Sequence, residues 1–414
     1  MFFESRARFA LQPAELWTFV ADTQRLNRAI GLPEGHFTAT PRSDGGSTAT
    51  GLYERFGFTI SRWREHPFTF VKPSRYSVLR EYDVGPFVKV EGGAELEPAA
   101  EGTELRVFAE IVPRHWLGWL SARLLVGPQS TKRVIARCRE YEQAFLKKRA
   151  AEGTAGSAPH EEIEALMEVY SGPPPQVDRA HLDQALRRLL EGNGNEVIAR
   201  RLSQHIATAP DDRAAGMRPF ELADVWGTDR HATLVTFLQA TSVGMLTMSW
   251  DVLCPYCRVP KQEATSLSDF TGQAHCETCN ITFDANFDRL VEVRFKPAAS
   301  IRDVAIGVFC IGGPQNTPHV VAQQELGAGQ AIEWALPLET KQYRLRSPQS
   351  GAALLEVAEG GDQTAAVSLV AGGVAPPLLK VSAPTRLRVE SQLSAPAVVA
   401  LEEQFWPDNA ATAA

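Results

Sequence analysis

The stretch LCPYCRVPKQEATSLSDFTGQAHCETCNITF, Leu253 to Phe283, carries four of the six cysteines of the chain as two C-x-x-C pairs. Cys254 and Cys257 form one knuckle and Cys276 and Cys279 the other, with 18 residues between them. That spacing fits the template of a structural zinc site. Two thiolates three residues apart can share one tight turn and reach one ion, and Pro255 suits such a turn. A second turn completes a tetrahedron. Four sulfur ligands saturate Zn²⁺ and leave no position for water or substrate, so the expected role of the ion is structural and not catalytic. The alternatives are four unrelated thiols or a redox pair; a redox C-x-x-C sits within a βαβ pattern and needs no second copy. His275 adjoins the second knuckle, which already offers two cysteines.

Composition bounds what surrounds this clamp. A chain of 414 residues makes two to four domains. Lys and Arg number 42 against 49 Asp and Glu, a net charge of −7 that disfavours nucleic acid as a partner. The N-terminus, MFFESRARFA, has no apolar core of a signal peptide, and no apolar run approaches the roughly 18 residues that cross a bilayer. A cytoplasmic location and no membrane partner are therefore expected. The sparse cysteines agree with a reducing compartment.

Residues 1–149 read as an α+β domain. Phe3, Ser5, Ala7 and Phe9 alternate with charged or polar neighbours, as a half-buried strand does. Pro13 opens a helix with an apolar face of Leu16, Phe19 and Val20. Strands follow: Leu52, Phe56, Phe58 and Ile60 share one parity, Tyr76, Val78, Tyr82 and Val84 another, then Leu105, Val107, Ala109 and Ile111. A last helix spans about 129–149. Its spacing places Val134, Cys138, Tyr141 and Phe145 on one stripe, so Cys138 belongs to the core. This order, with the opening PAELWTFVADTQRLNRAIGLP, resembles the START-like helix-grip fold. The resemblance implies a curved sheet around the last helix, and a cavity for a small apolar or amphipathic ligand. No catalytic constellation is legible. His36, His66 and His115 are scattered and read as surface or structural groups.

Residues 150–176 are rich in Gly, Ser, Ala and Pro and read as a linker with a short helix near 160–170. Residues 177–252 turn helical. Leu182, Ala185, Leu186, Leu189 and Leu190 mark one helix, and Ile198, Leu202 and Ile206 another. Pro219 opens a third that stops at Trp226-Gly227, and Thr228 or Asp229 caps a fourth through Ser242. A strand from Met245 to Leu253 then enters the first knuckle. Helix–turn–helix–strand resembles a winged-helix unit. Its second helix, DRHATLVTFLQATS, offers only Arg230 as a firm cation, too little for phosphate contacts. Such units also serve as packing or dimer modules, so a homodimer is among the expected partners. Residues 253–284 are the zinc ribbon. Residues 285–406 alternate in short strands between turns and read as a β-sandwich, with Cys310 inside it. The fold class expected is thus multidomain α+β.

The combination of LWTFVADTQRLNRAIGLP, RPFELADVWG, VLCPYCR and LEEQFWPDNAATA resembles the region found upstream of class III adenylate/guanylate cyclase domains in some bacteria. The tail at 407–414 then reads as leading to a domain outside this sequence. The resemblance implies a non-catalytic sensor or regulatory region, with a cyclase domain as partner in cis or in trans. The competing readings are a stand-alone enzyme in the START-like cavity, which needs an acid–base pair facing it, and a winged-helix DNA-binding regulator, which needs a basic stripe.

Overall fold

The computed structural model describes residues 1–41, 47–152, 175–192, 194–255, 260–270, 272–276, 281–284, 290–304 and 313–404. They fall into two compact units. One takes the described residues up to 152 and those from 313 onward; the other takes most of those between 175 and 304.

In the first unit, β1 (Phe2–Phe9) buries alternate residues, and Ser5 Oγ meets Thr131 Oγ1 of the last helix at 2.9 Å. Pro13 sits in the first turn of α1 (Pro13–Val20), whose leading N–H on Gln12 donates to Glu15. Asp22 caps α2 (Thr23–Ala29). Then come β2 (His36–Pro41), β3 (Ser47–Arg55), β4 (Phe58–Glu65), β5 (Thr69–Val71), β6 (Arg75–Val84), β7 (Phe87–Ala99) and β8 (Gly102–Pro113). A helical stretch follows, α3 (Trp116–Ser121), a π-turn over Ala122–Val126 and α4 (Gly127–Glu152). The antiparallel order β2-β3-β4-β6-β7-β8-β1 makes a sheet whose inner face packs on α4. Val134, Cys138, Tyr141 and Phe145 are all buried in that contact, as their spacing requires. Burial pushes the Cys138 thiol well above its ordinary range, consistent with a core residue.

The shared parity of Leu52, Phe56, Phe58 and Ile60 predicts one buried face. The chain instead turns at Phe56-Gly57, where φ is 54° and 78°, and Arg55 pairs with Phe58. A two-residue turn with both φ positive closes a hairpin, and this one leaves Phe56 and Phe58 85% and 72% exposed.

The C-terminal strands continue this sheet. β5 is three residues long, and its free edge accepts the strand Val320–Leu326, with Val71 opposite Ala322 and Phe70 opposite Gln323. The order runs on through Ala397–Glu403, Gln342–Ser347, Gly351–Val370, Leu378–Ser391 and Ala331–Leu336. The β region expected as a separate sandwich therefore shares a sheet with the N-terminal domain. Its own core is one apolar cluster including Trp334, Leu336, Tyr343, Leu345, Leu387 and Val389. Gly361 is needed where the strand bends, because a Cβ there would lie 2.4 Å from the backbone of Val381.

The second unit contains the helices Arg179–Glu191, Glu196–Thr208, Asp211–Ala214, Pro219–Trp226 and Arg230–Ser242. Gly227 ends its helix at φ 62°, and Asp229 caps the next by accepting from Ala232 N–H. The apolar stripes meet in one core around Leu202, Ile206, Phe237 and Phe295. Arg302, fully buried, donates to Ile206 O at 2.7 Å and to Asp211 at 2.6 Å, closing the end of the second helix. Strand Leu246–Leu253 lies between Pro260–Ala264 and Val291–Pro297. Val291–Pro297, expected to open the β-sandwich, thus belongs to this unit; its Phe295 joins the helical core. The short helix expected at 160–170, Cys310 and the tail at 407–414 lie outside the described residues.

Candidate ligand-binding site

Reading across the inner face of the first sheet gives rows of opposed residues. Tyr76, Ala94, Val107 and Ser5 form one row, and all pack toward α4. Val78, Gly92, Ala109 and Phe3 form the next, then Glu65, Arg80, Val90 and Ile111, and then Trp63 opposite Tyr82. The apolar core does not run through these rows unbroken. One cluster holds Tyr76, Ala94 and Leu96 with α1, α2 and α4; a second holds Phe87, Ile111 and Ala122, with Tyr82, Val90 and Phe3 against it. The break falls at Gly92, Ala109, Arg80 and Glu65.

What occupies the break is small or polar. Nothing but Phe108 O, at 3.9 Å, would meet a Cβ on Gly92, so space lies over that residue. Arg80 points to the same face, and its Nε and Nη2 both donate to Glu65 Oε2 at 2.8 Å. Glu65 is 1% exposed and Arg80 17%, so the pair is largely desolvated and the carboxylate is held by the guanidinium. Arg80 also stands 5.5 Å from the Trp63 ring. The Trp63 indole lies flat over Gly51, where a Cβ would come within 2.2 Å of the ring. Its buried Nε1 has no hydrogen-bond partner among the described residues. Burial raises the Tyr82 hydroxyl above its ordinary range, with Arg80 opposing. The Arg80 guanidinium thus borders the space over Gly92, between Val78 and Val90, with the Tyr82 ring farther along the same face and the Trp63 indole turned toward Gly51 on β3. That arrangement suits a small amphipathic molecule with an anionic or carbonyl head. Arg80 is the residue the sequence reading passes over: it shares the parity of Tyr76, Val78 and Tyr82, and the charge at an apolar-parity position is the signal.

A second buried polar cluster lies where β5 meets the C-terminal strands. Glu402 is completely buried. It accepts from Arg344 Nε at 2.6 Å and Arg346 Nε at 2.9 Å, with His319 Nε2 at 3.6 Å. Burial alone would raise its carboxyl; His319, Arg346 and Arg344 overcome this and bring it down to about 2. Lys72 donates to the carbonyls of Thr317 and Pro318. Lys72, just past β5, thus fastens the N-terminal strands to the segment before Val320–Leu326, while Glu402, Arg344, Arg346 and His319 all belong to the C-terminal part.

Of the metal ligands expected from sequence, Cys254 directly follows the strand Leu246–Leu253, and Cys276 closes the strand Gln273–Cys276; both are buried. Cys257 and Cys279 lie outside the described residues. Two of the expected histidines are accounted for structurally. His66 bridges Glu325 and Glu81 at 3.2 and 3.0 Å, and His115 caps α3 by accepting from Gly118 N–H. His36 is exposed. Arg230, the one firm cation of the helix Arg230–Ser242, is paired with Asp224 at 2.6 Å.

Residues 180–307 match a family of unknown function, DUF5939. No curated protein matches the chain. Solved structures similar to it include a protein from Thermus thermophilus, at 15% identity over 35% of this chain and 98% of that one, TM-score 0.25. The Zhui aromatase/cyclase from Streptomyces is similar at 12% identity over 38% and 99%, TM-score 0.25. A third, from Deinococcus radiodurans, shows 16% identity over 34% and 98%, TM-score 0.24. The N-terminal third has a START-like fold by its strand and helix order. No helix among the described residues is long and apolar enough to cross a membrane.

Proposed function

We propose that this chain is a non-catalytic sensor module whose START-like domain binds a small amphipathic ligand on the inner face of its sheet. One observation carries the reading: the apolar core parts at Gly92 and Ala109, and the largely desolvated Arg80–Glu65 pair lies in the parting. The ligand's apolar body would take the place of missing core side chains, and Arg80 would receive its head. Against a stand-alone enzyme, the carboxylate that lies on this face among the described residues is Glu65, and Arg80 holds it; a general base needs a free carboxylate within reach of the proton it removes. The module's effect would fall on a class III cyclase domain, in cis or in trans, through ligand preference for one arrangement of the chain. Cys254, Cys257, Cys276 and Cys279 would hold one structural Zn²⁺ in the zinc ribbon, where Cys254 directly follows one strand and Cys276 ends another. Purified protein should then contain one zinc per chain, and Cys276→Ser should lose it.

The ligand reading is tested with two probes on the full chain. 1-Anilinonaphthalene-8-sulfonate carries an anionic head; N-phenyl-1-naphthylamine has the same rings without it. Both should bind. The double variant Arg80→Met, Glu65→Leu replaces the pair by apolar groups, which is often tolerated, and should lose the sulfonate probe while keeping the neutral one. Equal binding of both probes by the variant and the wild type overturns the assignment.

A further inference from the structure

At one end of the START-like domain three segments touch. The β6–β7 turn, Gly85-Pro86, lies against β4, since a Cβ on Gly85 would be 2.9 Å from Ser61 Oγ and 3.3 Å from Ile60 O. The same turn lies against α3, since a Cβ on Gly118 would be 2.0 Å from Pro86 O, and Arg114 donates to Gly85 O. So the β3–β4 turn and α3 project side by side. Both project large apolar side chains into solvent: Phe56, Phe58 and Ile60 from the turn, and Trp116, Leu117 and Trp119 from the helix.

We propose that this end of the domain docks on an anionic lipid surface. Scattered exposed apolar residues need no explanation, but six on two adjoining projections do. The charge beside them is cationic: Arg114 and Arg123 flank α3 and no Asp or Glu falls between Ile111 and Arg139, while Arg133 and Arg137 of α4 turn away to the carbonyls of Ile30 and Ala29. Arg55 lies over the Phe56 ring and Arg123 over the Trp119 ring, so guanidinium groups accompany the aromatics outward. Glu54 and Asp83 are the nearby acids, and Asp83 is paired with Arg62 at 2.6 Å. Trp and Phe flanked by Arg suit the headgroup layer, where the rings reach the acyl boundary and the cations meet lipid phosphate. The backbone gives a second, independent observation. Phe56 takes the left-handed region, φ 54°, in a turn whose usual residue is Asn or Gly. A bulky side chain is strained there and gains no burial in the folded chain, so its benefit lies outside the fold. This surface is separate from the ligand gap and stands whether or not that gap is filled.

The test uses the full chain and sedimentation with phosphatidylcholine vesicles, with and without phosphatidylserine. Binding is expected to the anionic vesicles, weakening with salt. Phe56→Asn relieves the turn, so its melting temperature should equal or exceed the wild type while binding falls by about tenfold or more. Trp116→Ser, at a site 72% exposed, should act the same way without loss of stability. No preference for anionic vesicles, or wild-type binding by both variants, overturns the proposal. So does a wild-type dimer, seen by analytical ultracentrifugation without vesicles, that Phe56→Asn and Trp116→Ser convert to monomer, because a second copy would then own the face.

Discussion

The two ends of the long sheet bury their inner faces differently. At the C-terminal end a single apolar cluster runs from Val71 through Trp334, Leu345 and Leu369 to Leu401, and the charges of Glu402, Arg344 and Arg346 lie outside that cluster. At the N-terminal end the cluster splits, and a charged pair with a glycine beside it occupies the split. A filled core is a scaffold: every apolar contact is already made, and a guest has nothing to replace. A divided core has contacts still to make. The difference assigns the ligand to one end and rigidity to the other, although one sheet runs through both.

The comparison breaks most severely at the buried charge cluster of the C-terminal end. Glu402→Leu leaves Arg344 and Arg346 without their buried carboxylate, and removing one partner of such a set costs about 3–5 kcal/mol. Denaturant unfolding should show that loss. The wild type should show the same dependence in acid. The folded carboxyl lies at about 2, below its ordinary 4.5, so its contribution is complete above about pH 4.5 and disappears as pH falls toward 2. The Glu402→Leu variant should lack this part of the acid transition. A flat difference between variant and wild type from about pH 5 to about 2 would mean that the Glu402 carboxylate does not carry this stability.

Matched truncations sharpen the comparison. Leu345 is fully buried in the undivided core, so Leu345→Ala should cost about 2–5 kcal/mol. Val78 lines the divided face and is only half-buried, so Val78→Ala should cost about 1 kcal/mol or less. Equal losses would mean that the N-terminal face is as tightly packed as the other, and the ligand reading would lose its basis.

Much of this fold is written in local pattern. Period-two alternation marks β1, β6 and β8, and the stripe from Val134 to Phe145 marks the central helix, because each buries one face against a partner that does not need to be known. Pro219, Gly227 and Asp229 mark helix ends through backbone chemistry alone. Other features depend on pairing, which composition does not reveal. Phe56 and Phe58 look like core residues until the turn at Gly57 turns them outward. Val291–Pro297 alternates like any strand, and only its partner, Leu246–Leu253, assigns it to the helical unit. The candidate site was half legible: Arg80 breaks an apolar parity in the sequence, but its pairing with Glu65 crosses from β6 to β4, and the space over Gly92 is a property of three strands and a helix together.

The smallest expected stability change separates the two readings of that space most cleanly. Gly92 and Gly93 are neighbours on β7 and face opposite ways. A Cβ on Gly93 would fall 2.3 Å from the Tyr76 carbonyl oxygen, so Gly93→Ala should destabilise the domain by about 1–3 kcal/mol, with any probe loss explained by the damage. A Cβ on Gly92 would meet only Phe108 O at 3.9 Å. Valine also favours a strand where glycine does not, so Gly92→Val should leave stability unchanged or raise it by up to about 1 kcal/mol. Yet its methyl groups would stand in the gap beside Arg80. A variant as stable as the wild type that no longer binds N-phenyl-1-naphthylamine would place the probe over Gly92, since neither unfolding nor the loss of a charge could account for it. If Gly92→Val binds that probe as the wild type does, the probe sits elsewhere, and the split in the core is a packing defect and not a site.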